Sequence, residues 1–248
     1  MHKVALIGAG RIGRIHGRNA ALNGRITLAG VVDPVAVAAE ALAGEWSVPV
    51  LSLDEALNDP SIAGVIIASS TDTHLDYSVR AARAGKAIFC EKPIDQDLER
   101  ARGAEADLKD ARMLLAFNRR FDPNFQAVKA RLDDGGIGVL ESLQITSNDP
   151  SPPPPSYVAV SGGLFKDMAI HDFDIARWIL GEEVVEVFAF GSCLVDPEIG
   201  KLGDVDTART VLKTASGRLC VISTSRRSGF GYDQRIEAFA SAGMVRAD

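Results

Sequence analysis

The sequence has no uninterrupted apolar run near the roughly 18–20 residues that a membrane-crossing helix requires. Its N-terminus, Met1-His2-Lys3-Val4, enters a strand-like run without the apolar core and cleavage site of a secretory signal. Cysteine is scarce: Cys90, Cys193 and Cys220 are odd in number and show no CxxC spacing. A disulfide scaffold and a structural zinc site are therefore disfavoured, and a reducing cytoplasm is the expected compartment. The four histidines are scattered, so no metal site is expected. Basic side chains number 27 against 33 acidic, a net charge of −6. That balance argues against a broad phosphate-binding surface, and neither nucleic acid nor membrane is an expected partner. What the chain does have is apolar surface. At 46% hydrophobic over 248 residues it can build two cores without staples.

The first half alternates short apolar runs with helical patterns. Strands are expected at 4–8, 26–33, 64–69, 87–90 and 113–117, and helices at 11–23, 35–43, 74–84 and 98–111. The strands are apolar almost throughout, as burial on both faces requires. Such alternation predicts right-handed βαβ units and a doubly wound parallel sheet. After about Arg120 the pattern changes. A helix at 123–132 stops at Asp133-Asp134-Gly135-Gly136, and a strand-like run follows at 140–146. Prolines 152–155 lack amide donors and lock φ, which predicts an extended surface segment. A helix at 166–180 then precedes strands near 184–195, 206–214, 219–225 and 232–241, with turn signals at Ser216-Gly217 and Ala242-Gly243. The reading is α/β overall: a parallel-sheet domain over 1–119 and an α+β domain with a mostly antiparallel sheet over 120–248.

Gly8-Ala9-Gly10-Arg11-Ile12-Gly13 is a GxGxxG motif between a strand and a helix. Gly8 permits the turn, Gly10 lets a pyrophosphate approach, and Gly13 lets the helix pack close to the sheet. Asp33 closes the second strand 20 residues after Gly13, where a carboxylate binds the adenosine ribose hydroxyls and repels a 2′-phosphate. NAD is the expected cofactor. Lys92, in Cys90-Glu91-Lys92-Pro93, lies at the carboxyl end of a predicted parallel strand, where open sheets bind ligands. A lysine there can donate to a substrate oxygen or serve in acid–base work; the plainer alternative is a surface lysine before a turn proline. Asp167, His171 and Asp174 fall on one helix face at i, i+4 and i+7. Asp167 can fix the tautomer of His171 and stabilise its imidazolium. A capping Asp167 beside a half-buried His171 accounts for the spacing equally well.

Taken together, these motifs resemble the Gfo/Idh/MocA oxidoreductases, and within them the bacterial inositol 2-dehydrogenases. The resemblance runs through Gly8–Gly13, Asp33, Thr71-Asp72-Thr73-His74, Glu91-Lys92-Pro93 and Asn118-Arg119-Arg120-Phe121-Asp122. It continues through Gly162-Gly163-Leu164-Phe165-Lys166-Asp167, the following His171-Asp172-Phe173-Asp174, and Gly231-Tyr232-Asp233-Gln234. By that resemblance Lys92 matches the catalytic lysine, with a cis Lys92-Pro93 peptide. Asp167 and His171 match the pair that handles the substrate hydroxyl proton. Asn118, Arg119 and Tyr232 fall where the family lines its polyol pocket. Gly8, Gly10, Arg11, Ile12, Gly13, Asp33, Thr71 and Glu91 belong to the cofactor side, with Thr73 and His74 near the nicotinamide. The resemblance also implies a homotetramer formed through an open C-terminal sheet. Two departures stand out. Asn148 occupies a position where relatives often carry Arg, and relatives continue for several dozen residues past the strand pair near 238–247. An incomplete second domain is the expectation.

The implied activity is NAD-dependent oxidation of a secondary hydroxyl on a cyclic polyol, myo- or scyllo-inositol first. His171 would accept the proton, oriented by Asp167, while Lys92 would stabilise the alkoxide. Two other readings stay open: a dehydrogenase of another sugar, and a non-catalytic NAD-binding sensor on the same scaffold.

Overall fold

The computed structural model describes all residues, 1–248, as two compact units, Met1–Ala116 and Phe117–Asp248. The first unit runs β1 (His2–Ile7), α1 (Arg11–Ala21), β2 (Ile26–Val32), α2 (Ala36–Trp46), α3 (Leu53–Asn58) and β3 (Ile62–Ile67). It continues with α4 (Thr71–Arg83), β4 (Ala87–Cys90), α5 (Leu98–Gly103), α6 (Glu105–Leu108) and β5 (Met113–Leu115). The five strands form one parallel sheet in the order β2-β1-β3-β4-β5. The order reverses at β1, so the carboxyl ends of β1 and β3 open the crevice where such sheets bind ligands. Both faces are covered. Ala5 and Ile7 pack with Val65, Ile67 and Ile88 on one side, while Leu6 packs with Val31 and Leu42 on the other. This double burial is why the strands read as continuous apolar runs.

Two local details differ from the sequence reading. The helix expected at 98–111 is two short helices that break at Gly103-Ala104. The helix α3 was not foreseen, although Ser52 and Glu55 form a capping box at its start.

The second unit begins with a 3₁₀ turn, Asn118–Phe121, followed by α7 (Pro123–Asp133), β6 (Leu140–Asn148) and α8 (Pro155–Ser161). A π-helical turn, Phe165–Ala169, leads into α9 (Ile170–Leu180). Then come β7 (Val184–Ser192), α10 (Pro197–Lys201), β8 (Thr207–Thr214), β9 (Leu219–Ser225), β10 (Asp233–Ala240) and β11 (Gly243–Ala247). The sheet order is β11-β10-β6-β9-β8-β7, antiparallel except for the β6–β9 pair. The helices α7 and α9 bury Phe125, Val128, Ile175 and Ile179 against Leu143, Ile145, Ile222 and Ile236. On the uncovered face Phe188, Val211 and Val221 stand in one cross-strand row, all exposed. Only part of the proline run is extended: Pro155 opens α8, where its missing amide costs nothing. The helix expected at 166–180 starts as a π turn, which takes Asp167 out of strict α-helical phase with His171 and Asp174.

Candidate active site

In the first unit, the glycine turn is built to bring backbone close to backbone. Gly8 has φ +109°, and a Cβ there would lie 2.6 Å from the Ser69 amide nitrogen at the end of β3. A Cβ on Gly13 would collide with the Gly8 carbonyl, so α1 can approach β1 only with glycine at this position. Above Gly10 there is open space. The first turn of α1 has no capping side chain and no acidic residue, leaving Arg11 and Ile12 amides directed at that space. Asp33 is fixed from two sides. Its Oδ2 accepts from the Ala9 amide at 2.7 Å and its Oδ1 from the Val35 amide at 2.8 Å. Each oxygen keeps a further lone pair for a ribose hydroxyl.

At the end of β4, Lys92-Pro93 is a cis peptide. Glu91 reaches back to α1, where its Oε1 lies 2.7 Å from His16 Nε2, and the imidazole packs edge-on against Phe89. Its other oxygen accepts from the Lys92 amide at 3.3 Å. Glu91 is thus engaged in holding the lysine-bearing turn, and His16 is a member of this cluster that sequence reasoning passed over. Thr71 opens α4, and the Thr73 hydroxyl is spent on the Ser69 hydroxyl and the Ser70 carbonyl, 2.7 Å each. His74 is only 2% exposed. Its Nδ1 faces the Pro93 carbonyl at 2.8 Å and its Nε2 the Ser69 carbonyl at 3.2 Å. It ties the ends of β3 and β4 together from inside and presents no face to a ligand.

The second unit carries the candidate proton-handling pair. Asp167 lies in the π turn and His171 at the start of α9. The Tyr157 hydroxyl donates to Asp167 Oδ1 at 2.9 Å, and both terminal nitrogens of Arg226 reach Oδ2 at 3.4 Å. Phe117 sets its ring at 87° to the imidazole of His171, 6.3 Å between centroids. The rest of the aspartate-rich helix is structural. Arg120 holds Asp174 by two hydrogen bonds, 2.5 and 2.8 Å. Arg119, buried, pairs with fully buried Asp172 and donates to Ser147 Oγ at 2.9 Å. Burial pushes the Asp172 carboxyl up, more than Arg119 and Ser147 draw it down. Asn118 and Arg119 also line a cavity of about 400 Å³ with Phe121, Phe125, Gln234 and Asp248, which neither Asp167 nor His171 borders. Tyr232 is 71% exposed.

The loop between β7 and β8 is knotted around Asp206. Burial alone would raise this acid, but the amides of Leu194, Asp196 and Val195 and the Thr207 hydroxyl outweigh it and hold the carboxyl at about 2. Its backbone carbonyl accepts from the Arg226 amide at 2.8 Å. Nearby, both oxygens of Asp204 accept from the Leu164 amide at 3.1 Å, capping the entry to the π turn. No group of three His, Cys, Asp or Glu side chains is placed to hold a metal ion, and no helix is long and apolar enough to cross a membrane.

Residues 2–117 match the oxidoreductase family with an NAD-binding Rossmann fold, and residues 125–246 match the GFO/IDH/MocA C-terminal domain. An inositol 2-dehydrogenase of Rhizobium meliloti (strain 1021) is 49% identical over 248 residues, 99% of this chain and 75% of that one. The chain belongs to the Gfo/Idh/MocA oxidoreductase family.

Solved members superpose closely. A myo-inositol dehydrogenase from Corynebacterium glutamicum ATCC 13032 is 42% identical with a TM-score of 0.96, covering 100% of this chain and 75% of that one. A scyllo-inositol dehydrogenase from Lactobacillus casei, with NAD(H) and scyllo-inositol bound, is 30% identical with a TM-score of 0.91 over 100% and 76%. This Gfo/Idh/MocA member is an NAD-dependent oxidoreductase. Its own residues fit the cofactor: a turn closed to a Cβ at Gly8 and Gly13 and open above Gly10, an uncapped helix start, and a carboxylate fixed at the end of β2.

Proposed function

We propose that this chain oxidises a secondary hydroxyl of a cyclic polyol, myo-inositol or scyllo-inositol, to the ketone. The observation that carries the reading is that one chain holds an NAD cradle in its first unit and, in its second, a carboxylate, Asp167, fixed by Tyr157 and Arg226. A protein that only sensed NAD would need no such proton acceptor. The inositol dehydrogenases named above support the choice of substrate.

The reaction removes two electrons and two protons' worth of hydrogen from the alcohol. Bound NAD⁺ supplies the hydride acceptor at nicotinamide C4. His171 takes the hydroxyl proton, and Asp167, one turn earlier, stabilises the imidazolium that forms. Lys92, held at the end of β4 by the Glu91–His16 contact, donates to the oxygen as it acquires negative charge. Asp33 and the turn Gly8, Gly10, Arg11, Ile12 and Gly13 bind the dinucleotide. Thr71, Thr73, His74 and Glu91 shape the loops around it. Asn118, Arg119 and Tyr232 contribute to polyol binding. We further propose that copies of the chain associate through the exposed face carrying Phe188, Phe190, Val211 and Val221, as a tetramer.

The test is NAD reduction with myo-inositol, scyllo-inositol and glucose, beside Lys92→Ala. Turnover on an inositol that falls by about 10²-fold or more in the variant supports the reading. Preference for glucose would move the substrate to a sugar. NAD binding with no turnover on any of the three would favour a sensor.

A further inference from the structure

We infer that Arg226 is a positioning residue for the proton-handling pair: its buried guanidinium supplies the counter-charge of Asp167 and fixes its orientation on the π turn. This deepens the proposed function and rests on its assignment of Asp167.

Arg226 is 1% exposed and heads the fully buried side chains by volume. A guanidinium does not lose its proton, so this position buries a permanent positive charge. A buried cation needs an anion, or its desolvation goes uncompensated. Asp206, whose backbone carbonyl accepts from the Arg226 amide, is not that anion, because its carboxylate is taken up by three loop amides. Asp167 is, through both terminal nitrogens, while Nε of Arg226 is buried without a hydrogen-bond partner. The guanidinium is thus committed to a single oxygen, Oδ2, and Tyr157 occupies the other.

Comparison along the same helix sharpens the point. Asp172 and Asp174 are each paired to an arginine at ordinary or short distance, and their side chains are 0% and 7% exposed. Arg226 stands off at 3.4 Å, and the Asp167 side chain retains 14% exposure. Two pairs are closed and structural. The third is looser, and its carboxylate is held in direction by Arg226 on one oxygen and Tyr157 on the other. Without the Arg226 guanidinium, Asp167 would lose the partner that fixes its orientation, and His171 the counter-charge held in place for it.

The experiment compares Arg226→Met, Arg226→Lys and Asp167→Asn with the double variant Arg226→Met/Asp167→Asn. Kinetically, Arg226→Met should lower kcat about 10²-fold with KM for the polyol changed by less than about 3-fold, because transition-state charge rather than substrate binding is affected. Arg226→Lys should recover part of the loss, and guanidinium below denaturing concentration should partly restore Arg226→Met. NAD binding should be unchanged in all. In urea unfolding, the double variant should lose much less stability than the two single losses combined, since a charge stranded by either substitution is removed with its partner. Additive losses would overturn the pairing. Near-normal kcat in Arg226→Met, with Asp167→Asn crippled, would overturn the positioning role alone. Equal losses in Met and Lys with no guanidinium rescue would reduce Arg226 to a structural residue and overturn it too. Near-normal turnover in Asp167→Asn would instead overturn the assignment of Asp167 itself.

Discussion

Replacing Asp206 by Asn should make the stability of the second unit lose a defined part of its pH dependence. The Asp206 side chain is fully buried, yet its carboxyl is held at about 2 against an ordinary 3.8. Burial opposes that ionisation; the amides of Leu194, Asp196 and Val195 and the Thr207 hydroxyl more than offset it. The difference is worth about 2 kcal/mol of folding free energy at neutral pH. Because the folded acid is the stronger one, the contribution is complete above the unfolded value and fades as pH falls through the folded one. About half should be gone by pH 3 and nearly all below pH 2. Asn keeps the shape but turns an amide NH₂ toward donors, so about 2–3 kcal/mol should be lost at pH 7.

The assay is urea unfolding at pH 7, 5, 4 and 3, followed through the fluorescence of Trp178, which packs against the core of this unit. The difference between wild type and Asp206→Asn should be largest at pH 7 and shrink steadily below pH 4. A difference constant from pH 7 to pH 3 would refute the account, because then the Asp206 charge is not what the loop amides stabilise. A shrinking difference would also tie the acid stability of the unit to the loop whose backbone anchors Arg226.

Three further outcomes follow from single features. Gly13→Ala forces a Cβ into the Gly8 carbonyl, so α1 must move from β1; NAD affinity measured by calorimetry should fall at least about tenfold, and unaltered affinity would contradict the close packing. Cys90 and Cys220 are buried and their thiols pushed up to about 12, while burial also raises Cys193, so a thiol reagent at pH 8 should label at most Cys193 in the native protein and all three after denaturation. Phe188→Lys places a charge in the exposed row with Val211 and Val221 and should lower the mass measured by light scattering; an unchanged mass would take the proposed association away from this face.

The fold was legible where its causes are local. Apolar runs spaced by helical stretches announced a parallel sheet because burial on both faces erases alternation, whereas β8 alternates buried and exposed residues in the structure, as a strand of a sheet covered on one face does. The glycine turn and Asp33 could be read as a unit because each residue acts on backbone within one βαβ segment. Elements that depend on one side chain or one irregular turn were not legible. The π turn has no period to betray it, and α10 rests on an Asp196 cap and Pro197 inside a stretch read as a strand and loop. The contacts that organise the candidate pair were hidden for another reason. Arg226 lies 59 residues from Asp167 and Arg119 lies 53 from Asp172, and only the completed sheet brings such partners together.

The aspartates of the helix show what spacing alone leaves open. An ideal helix would put Asp167 and Asp174 on one face with His171. The π turn rotates Asp167 out of that phase, and Arg120 claims Asp174. Asp172, between His171 and Asp174, would be the poorest candidate by spacing, yet burial pushes its carboxyl up. Perturbation by itself is therefore no guide to chemistry here, because Asp172 is sealed at 0% exposure by Arg119. What singles out Asp167 is the combination of an arginine that cannot be neutralised and a tyrosine hydroxyl on the second oxygen. On the proposed assignment, a carboxylate fixed in that way serves His171 without itself having to move.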